Sequence, residues 1–203
     1  MDSTTELELV EALREGDEAA FAELVDRYHG SLVRVARLYV RDGATAEEVA
    51  QETWLAVLGG IDRFEARSSV KTWLFRILTN RAKTRGEREA RSIPFSAMSD
   101  GHGPAAEAEE QPELTPGTWR SWEGDPEERL LAGEARELIL ATIETLPPAQ
   151  RATITLRDIE GMSAEDVCNV LEVSDTNQRV LLHRARSTVR RALERYLGET
   201  DNS

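Results

Sequence analysis

Apolar residues recur at spacings of three and four through most of the chain, and nowhere does a strand-like alternation persist. The spacing predicts helices over Glu6 to Arg14 and Asp17 to His29. The second carries Ala20, Phe21, Leu24, Val25 and Tyr28 on one side and takes Asp17 as its cap. Ser31 to Val40 continues the pattern through Leu32, Val35, Ala36 and Tyr39, and Asp42-Gly43 reads as a stop. Thr45, with Glu48 three residues on, has the form of a capping box. It opens a helix to about Leu58, closed by Gly59-Gly60. A further helix, Val70 to about Arg88, places Trp73, Leu74, Ile77 and Leu78 on its apolar face. Periodicity resumes at Pro126, a helix start, and runs through Ala135, Leu138, Ile139 and Ile143. Pro147-Pro148 ends that helix, and another begins near Ala149.

Between about Arg91 and Asp125 the pattern fails. The text there, RSIPFSAMSDGHGPAAEAEEQPELTPGTWRSWEGD, is rich in Pro, Gly, Ser and Glu, a linker composition. So long a stretch without periodicity does not suit a loop inside one compact domain. The expected architecture is therefore all-α: two small helical domains, residues 1–90 and 127–203, joined by an acidic flexible linker at 91–126. Trp119 and Trp122 are unusual in such a linker. They suit docking on a partner or a domain, or cover for local apolar surface.

The C-terminal block has a more specific form. Gly161 closes a helix, and Ser163 caps a short one whose buried side holds Val167, Cys168, Val170 and Leu171. A four-residue joint, EVSD, leads to a long helix from about Thr176 with Leu182, Ala185, Val189, Ala192 and Tyr196 on one face. A short helix, a tight turn and a basic second helix make a helix-turn-helix. In that unit the first residues of the second helix face base edges. Here they are Asn177, Gln178 and Arg179. Asn and Gln can each make two parallel hydrogen bonds to adenine, and Arg to guanine. His183 and Arg186 lie on the basic face, and Arg184, Arg186, Arg190 and Arg191 suit phosphates. The alternative is a plain helical hairpin with a solvated arginine face.

Charge sharpens this picture. Over 203 residues there are 38 acids and 25 bases, a formal net charge of −13, which at first argues against nucleic acid. The bases are clustered, however. Residues 63–91 hold 9 bases and 3 acids, and residues 176–197 hold 6 bases and one acid, both within an acidic background. A local basic stripe is the footprint of phosphate binding, although the solvated face of an amphipathic helix can look the same. Around the first block, Arg76, Asn80, Arg81, Lys83 and Arg85 interleave with Trp73, Leu74 and Ile77. Aromatic and basic residues on one element suit single-stranded DNA, whose bases stack and whose phosphates need neutralising.

Other chemistry is not called for. The one cysteine, Cys168, precludes an intramolecular disulfide and any multi-cysteine metal site, and its apolar position suits a small buried hydrophobe. His29, His102 and His183 are scattered over three segments. We therefore expect no metal and no cofactor. Without a Ser/His/Asp constellation or a phosphate-cradling glycine loop, we expect no enzyme and no small-molecule substrate. No apolar run approaches the roughly 18 residues of a membrane span. The acidic N-terminus lacks the features of a signal peptide, so a cytoplasmic location is expected.

Two stretches carry a family resemblance. AEEVAQETWL and SSVKTWLFRILTNRAKTRGER resemble the paired helices of extracytoplasmic-function sigma factors of bacterial RNA polymerase, in the sigma-70 family. LPPAQRATITLRDIEGMSAEDVCNVLEVS and LLHRARSTVRRAL resemble the two ends of that family's C-terminal helix-turn-helix. The resemblance covers about 17–91 and 127–197. It implies that Glu48, Gln51, Glu52 and Leu55 dock on the coiled-coil clamp helices of the polymerase largest subunit, beta-prime. It implies that Arg67, Ser68, Ser69 and Lys71 form a loop capturing a flipped base of the promoter −10 element. Trp73, Arg76, Asn80 and Lys83 would melt and hold that element, and the second domain would read the −35 element as duplex. The linker would thread through the polymerase toward the active-site cleft and RNA exit path, where its acids can mimic nucleic acid, and the beta subunit is a further implied partner. An anti-sigma factor is the implied regulator.

The chain departs from the family pattern at the start of the recognition helix, where Thr176, Asn177, Gln178 and Arg179 stand in place of the usual G-T-V-K. The implied function is a promoter-specificity subunit without an active site. A two-domain helix-turn-helix regulator that does not act as a polymerase subunit shares the second domain, but leaves the basic, Trp-containing helix at 70–88 without a role.

Overall fold

A computed structural model describes residues 3–91 and 126–200. The expected linker, with His102, Trp119 and Trp122, lies outside the described residues. The described elements are all helical: α1 (Ser3–Arg14), α2 (Glu18–Ala36), α3 (Gly43–Gly60), a 3-10 turn (Ile61–Arg63), α4 (Val70–Arg91), α5 (Pro126–Glu144), α6 (Pro148–Ile154), a π turn (Thr155–Ile159), α7 (Ala164–Leu171) and α8 (Asp175–Thr200). No described helix is long and apolar enough to cross a membrane. The helices fall into two compact units. One contains α1 to α4 and also takes in Glu165–Glu172; the other contains α5, α6 and α8.

In the first unit, α2 is a single helix where the spacing suggested two segments. Gly30 sits inside it, at a cost of about 1 kcal/mol against alanine. Burial of Leu32, Val35 and Ala36 just beyond offsets that cost. Asp17 caps it as expected, its carboxylate accepting from the amides of Ala19 at 2.8 Å and Ala20 at 3.2 Å. The helix stops at Ala36 rather than Val40, because Leu38 and Tyr39 turn back in three-residue bonds to Val35 and Ala36.

The cap of α3 also differs from the expected one. Asp42, not Thr45, is the capping residue: its carboxylate accepts from the Thr45 amide at 2.8 Å and the Thr45 hydroxyl at 2.9 Å. Thr45 thus sits inside the first turn, and Glu48 is directed elsewhere. A capping box needs its Ser or Thr in an extended conformation. The acid three residues upstream takes that position instead, extended at φ −131° and ψ 161°.

The core of this unit joins Leu24, Leu32 and Val35 of α2, Ala46, Val49, Ala50 and Val57 of α3, and Leu74, Phe75, Leu78 and Ala82 of α4, all buried. Phe75, fully buried, is not among the expected apolar positions; Trp73 and Ile77 are only half-buried at the rim. Where α4 passes the end of α2, Gly86 permits contact between main chains. A Cβ added there would stand 2.1 Å from the Tyr39 carbonyl oxygen.

In the second unit, Ile143 and Leu146 pack with Ile154 of α6 and Leu182, Ala185 and Val189 of α8. Pro148 opens α6, where its missing N–H costs nothing. The helix then widens into a π turn, closed by the Glu160 amide bonding to the Thr155 carbonyl at 2.9 Å. Gly161, at φ +66°, ends the run in the left-handed region, as expected of a glycine. α7, nearly all of which belongs to the first unit, buries Val167 and Val170 completely, whereas Cys168 and Leu171 are only half-buried.

Candidate nucleic-acid interface

Residues 46 to 57 divide sharply by face. Ala46, Val49, Ala50, Thr53, Trp54 and Val57 point inward. Glu48, Gln51, Glu52 and Leu55, at the complementary three- and four-residue spacings, lie on the outer side. Leu55 is 71% exposed and Leu58 50%, so an apolar strip lies among the carboxylates. Glu48 receives a hydrogen bond from Arg85 Nη2 at 2.8 Å, and Glu52 one from Arg81 Nη1 at 3.3 Å. The acidic ridge of α3 and the basic face of α4 are therefore neighbours.

Glu47 belongs to a different arrangement. The Trp54 indole N–H donates to His29 Nδ1 at 3.2 Å, and His29 Nε2 lies 2.7 Å from Glu47 Oε1. Since Nδ1 must accept, the imidazole carries its proton on Nε2 and donates it to Glu47. His29 joins α2 to α3, a structural role that nothing in the local sequence signals. Among the described residues, no group of three or more His, Cys, Asp or Glu could hold a metal ion.

The segment from Phe64 to Val70 connects α3 to α4. Arg67 is exposed and pairs with Glu65. Ala66 is left-handed at φ 53°, uncommon for a residue with a Cβ. Ser69 caps α4: its hydroxyl oxygen accepts the Thr72 amide at 3.1 Å and lies 2.8 Å from the Thr72 hydroxyl. Ser68 and Lys71 are half-buried, the latter with its ammonium 5.9 Å from the Phe75 ring centre. On α4, Arg76 and Asn80 are exposed and Lys83 is half-buried. Trp73 leans on Phe64, with ring centres 5.0 Å apart and planes tilted by 44°.

α8 divides the residues expected at DNA into two sets. Asn177 and Arg179 are exposed at its start. Arg179 is held by an ion pair one turn back, to Asp175 at 3.0 Å. The Asn177 amide is capped by the Ser174 hydroxyl at 3.2 Å. His183 and Arg184 are half-buried. Two of the expected residues face inward instead of outward. Gln178 is 1% exposed, on the inward side of the first turn. Arg186 is turned to a carboxylate of its own chain. Its guanidinium makes a two-pronged pair with Asp158, Nη2 to Oδ1 at 2.8 Å and Nε to Oδ2 at 3.0 Å. The side chains are 13% and 1% exposed.

Comparison with known proteins gives the family. The sigma-70 region 2 model matches residues 24–92, and a sigma-70 region 4 model matches residues 136–189. The ECF RNA polymerase sigma-E factor of Salmonella typhimurium is 31% identical over 188 residues, 93% of this chain and 94% of its own. The RNA polymerase sigma-H factor of Pseudomonas aeruginosa is 31% identical over 200 residues, 95% of each chain. In structure, the sigma factor RpoE of Bartonella quintana, solved with the anti-sigma factor NepR, shares the fold with a TM-score of 0.60 at 21% identity. That match covers 86% of this chain and 96% of the other. The chain belongs to the sigma-70 family, among its extracytoplasmic-function members. It is an RNA polymerase sigma factor, directing transcription initiation at promoters.

Proposed function

We propose that residues 1–90 form the module that binds core polymerase and the −10 element, and residues 127–203 the module that reads the −35 element, with 91–126 between them. Glu48, Gln51, Glu52 and Leu55 dock on the beta-prime clamp helices. Arg67, Ser68 and Lys71 hold a flipped base, and Trp73, Arg76, Asn80 and Lys83 hold the melted strand. Ser69 contributes by fixing the start of α4. At the −35 element the readers are Asn177 and Arg179, with His183 and Arg184 nearer the phosphates. Gln178 and Arg186 leave that set.

In this reading the protein works in the cytoplasm, has no active site of its own, and leaves the chemistry to the polymerase. An anti-sigma protein such as the one bound to the Bartonella relative is the expected inhibitor. The observation that carries the proposal is the exposure of Leu55, at 71%, within a ridge of carboxylates on an otherwise well-buried helix. An exposed leucine ringed by charge suits a partner more than solvent.

The experiment is titration of labelled protein with core polymerase. Glu48→Ala, Glu52→Ala and Leu55→Ala combined should weaken core binding by about tenfold or more, equivalent to about 1.4 kcal/mol. Unchanged core binding would remove α3 as the docking surface.

A further inference from the structure

The segment read as the −10 loop is fastened at both ends by residues of α1. At its entry, Arg14 Nη2 donates to the Phe64 carbonyl at 2.6 Å, and Arg14 Nε to the Ile61 carbonyl at 3.4 Å. At its exit, the Glu6 carboxylate accepts the amide of Val70, the first residue of α4. That amide is one of the four that a helix start leaves without an internal partner. Ser69 already satisfies the Thr72 amide from within the segment. The second cap comes from 64 residues away in sequence.

The two anchors sit eight residues apart on one helix, about 12 Å along its axis. That helix is itself held: Val10 is 3% exposed and Leu13 7%. A short rigid rod therefore spans the loop from one end to the other. Between the anchors lies Ala66 in the left-handed region. A residue with a Cβ keeps such a conformation only where its surroundings over-determine it. Fixing the carbonyl of Phe64 and the amide of Val70 supplies that determination. The region 2 match begins at residue 24, so α1 lies outside the part of the chain that the family model describes.

We propose that α1 is a clamp for the −10 loop. Glu6 and Arg14 are positioning residues that fix both ends of the segment 64–70, and so set the conformation in which Arg67, Ser68 and Lys71 meet the displaced promoter strand. The inference rests on the reading of 67–71 as the −10 contact. Neither anchor touches DNA. Each acts by removing freedom from a loop that would otherwise have to be ordered by the strand it binds.

The test uses the full chain with core polymerase on a promoter it transcribes. Heparin-resistant open complexes are measured, and their yield is compared between the native −10 sequence and versions substituted at the captured base. Glu6→Ala and Arg14→Ala should keep core binding within about twofold. They should lower open-complex formation by roughly ten- to a hundredfold and flatten the discrimination between −10 bases. Glu6→Gln, which keeps an acceptor, and Arg14→Lys, which keeps a donor, should restore most of both. In parallel, Arg67→Ala with Lys71→Ala tests the underlying reading. If that loop variant loses open complexes while the α1 variants behave as wild type, the clamp is wrong and the loop assignment stands. If the loop variant itself is unaffected, the loop assignment falls and the clamp with it. If the α1 variants lose core binding and thermal stability together, with base discrimination intact, α1 is merely structural and the clamp is overturned.

Discussion

Arg186 Nη2 lies 2.8 Å from Asp158 Oδ1, and the pair is almost wholly withdrawn from solvent, at 13% and 1% side-chain exposure. The π turn re-aims Asp158, since one extra residue in a helical turn rotates the next residues by about a quarter turn. The consequence is a cross-link between the end of the α6 segment and the middle of α8. Removing one partner of a buried pair leaves the other charged and desolvated, at a cost of about 3–5 kcal/mol. Arg186→Ala should therefore lower unfolding stability by roughly 3 kcal/mol in a urea titration. An unchanged midpoint, with a reduced salt slope of duplex binding, would return Arg186 to the phosphates.

Gly86 and Gly133 make opposite predictions from the same substitution. At Gly86 a methyl group would collide with the Tyr39 carbonyl oxygen at 2.1 Å, a main-chain atom that cannot swing aside as a side chain could. Gly86→Ala should cost about 1–3 kcal/mol as overpacking. At Gly133, exposed on α5, nothing lies within 4 Å of an added Cβ. Gly133→Ala should add about 0.5–1 kcal/mol through helix propensity. Thermal melts of both variants check the pair.

The bonds from the Thr45 amide and then the Thr45 hydroxyl hold the Asp42 carboxyl below its usual pKa. A carboxyl lowered in the folded state binds its proton more weakly there than in the unfolded chain. Its contribution is therefore present above the ordinary aspartate value near 4 and fades as pH falls through the lower folded value. Asp42→Asn, which keeps an acceptor for the amide, should reduce the loss of melting temperature between pH 5 and pH 2 relative to wild type. An identical pH profile would show that this cap is not linked to acid stability.

Asn80 is exposed on α4 and Lys83, one turn further along, is half-buried. Asn80→Ala with Lys83→Ala should reduce open-complex formation by about tenfold or more, as loss of base and phosphate contacts on a single strand requires. Core binding should change by less than about twofold. Normal initiation by this variant, measured by permanganate reactivity of the −10 strand, would remove both residues from melting.

Arg179 is exposed at the start of α8, and its ion pair with Asp175 is a surface pair worth little. It can leave that partner for a guanine edge. Arg179→Ala should cost about 1–3 kcal/mol at one base pair of the −35 site and leave binding to sites altered there unchanged. A uniform loss across sequences in a competition assay would make it a phosphate contact.

The helical architecture is legible in the sequence because its signal is local. Leu24, Val35, Val49, Leu78 and Val189 all obey the spacing that puts them inside. The outer ridge of Glu48, Gln51, Glu52 and Leu55 is the complement of the same pattern. The features that cannot be read this way depend on distant partners. Glu6 and Arg14 look like ordinary surface residues of a short amphipathic helix until the chain returns 64 and 50 residues later. Arg186 sits among arginines of the same appearance, and only the π turn in the preceding segment, which no propensity marks, brings Asp158 to it. Gln178, by contrast, is legible by phase: four residues before Leu182, it continues the inner face of Leu182, Ala185 and Val189, and only its place in the first turn of the helix suggests a base reader. At Asp42 and Thr45 two adequate caps lie three residues apart, and spacing alone does not choose between them.

The central claim is tested most directly by run-off transcription from fragmented genomic DNA with core polymerase and the full chain. The expected result is transcripts from a small set of start sites that core polymerase alone does not use, each preceded by the same pair of −10 and −35 sequences. A chain that binds duplex DNA unaided yet adds no start site to core polymerase would contradict it.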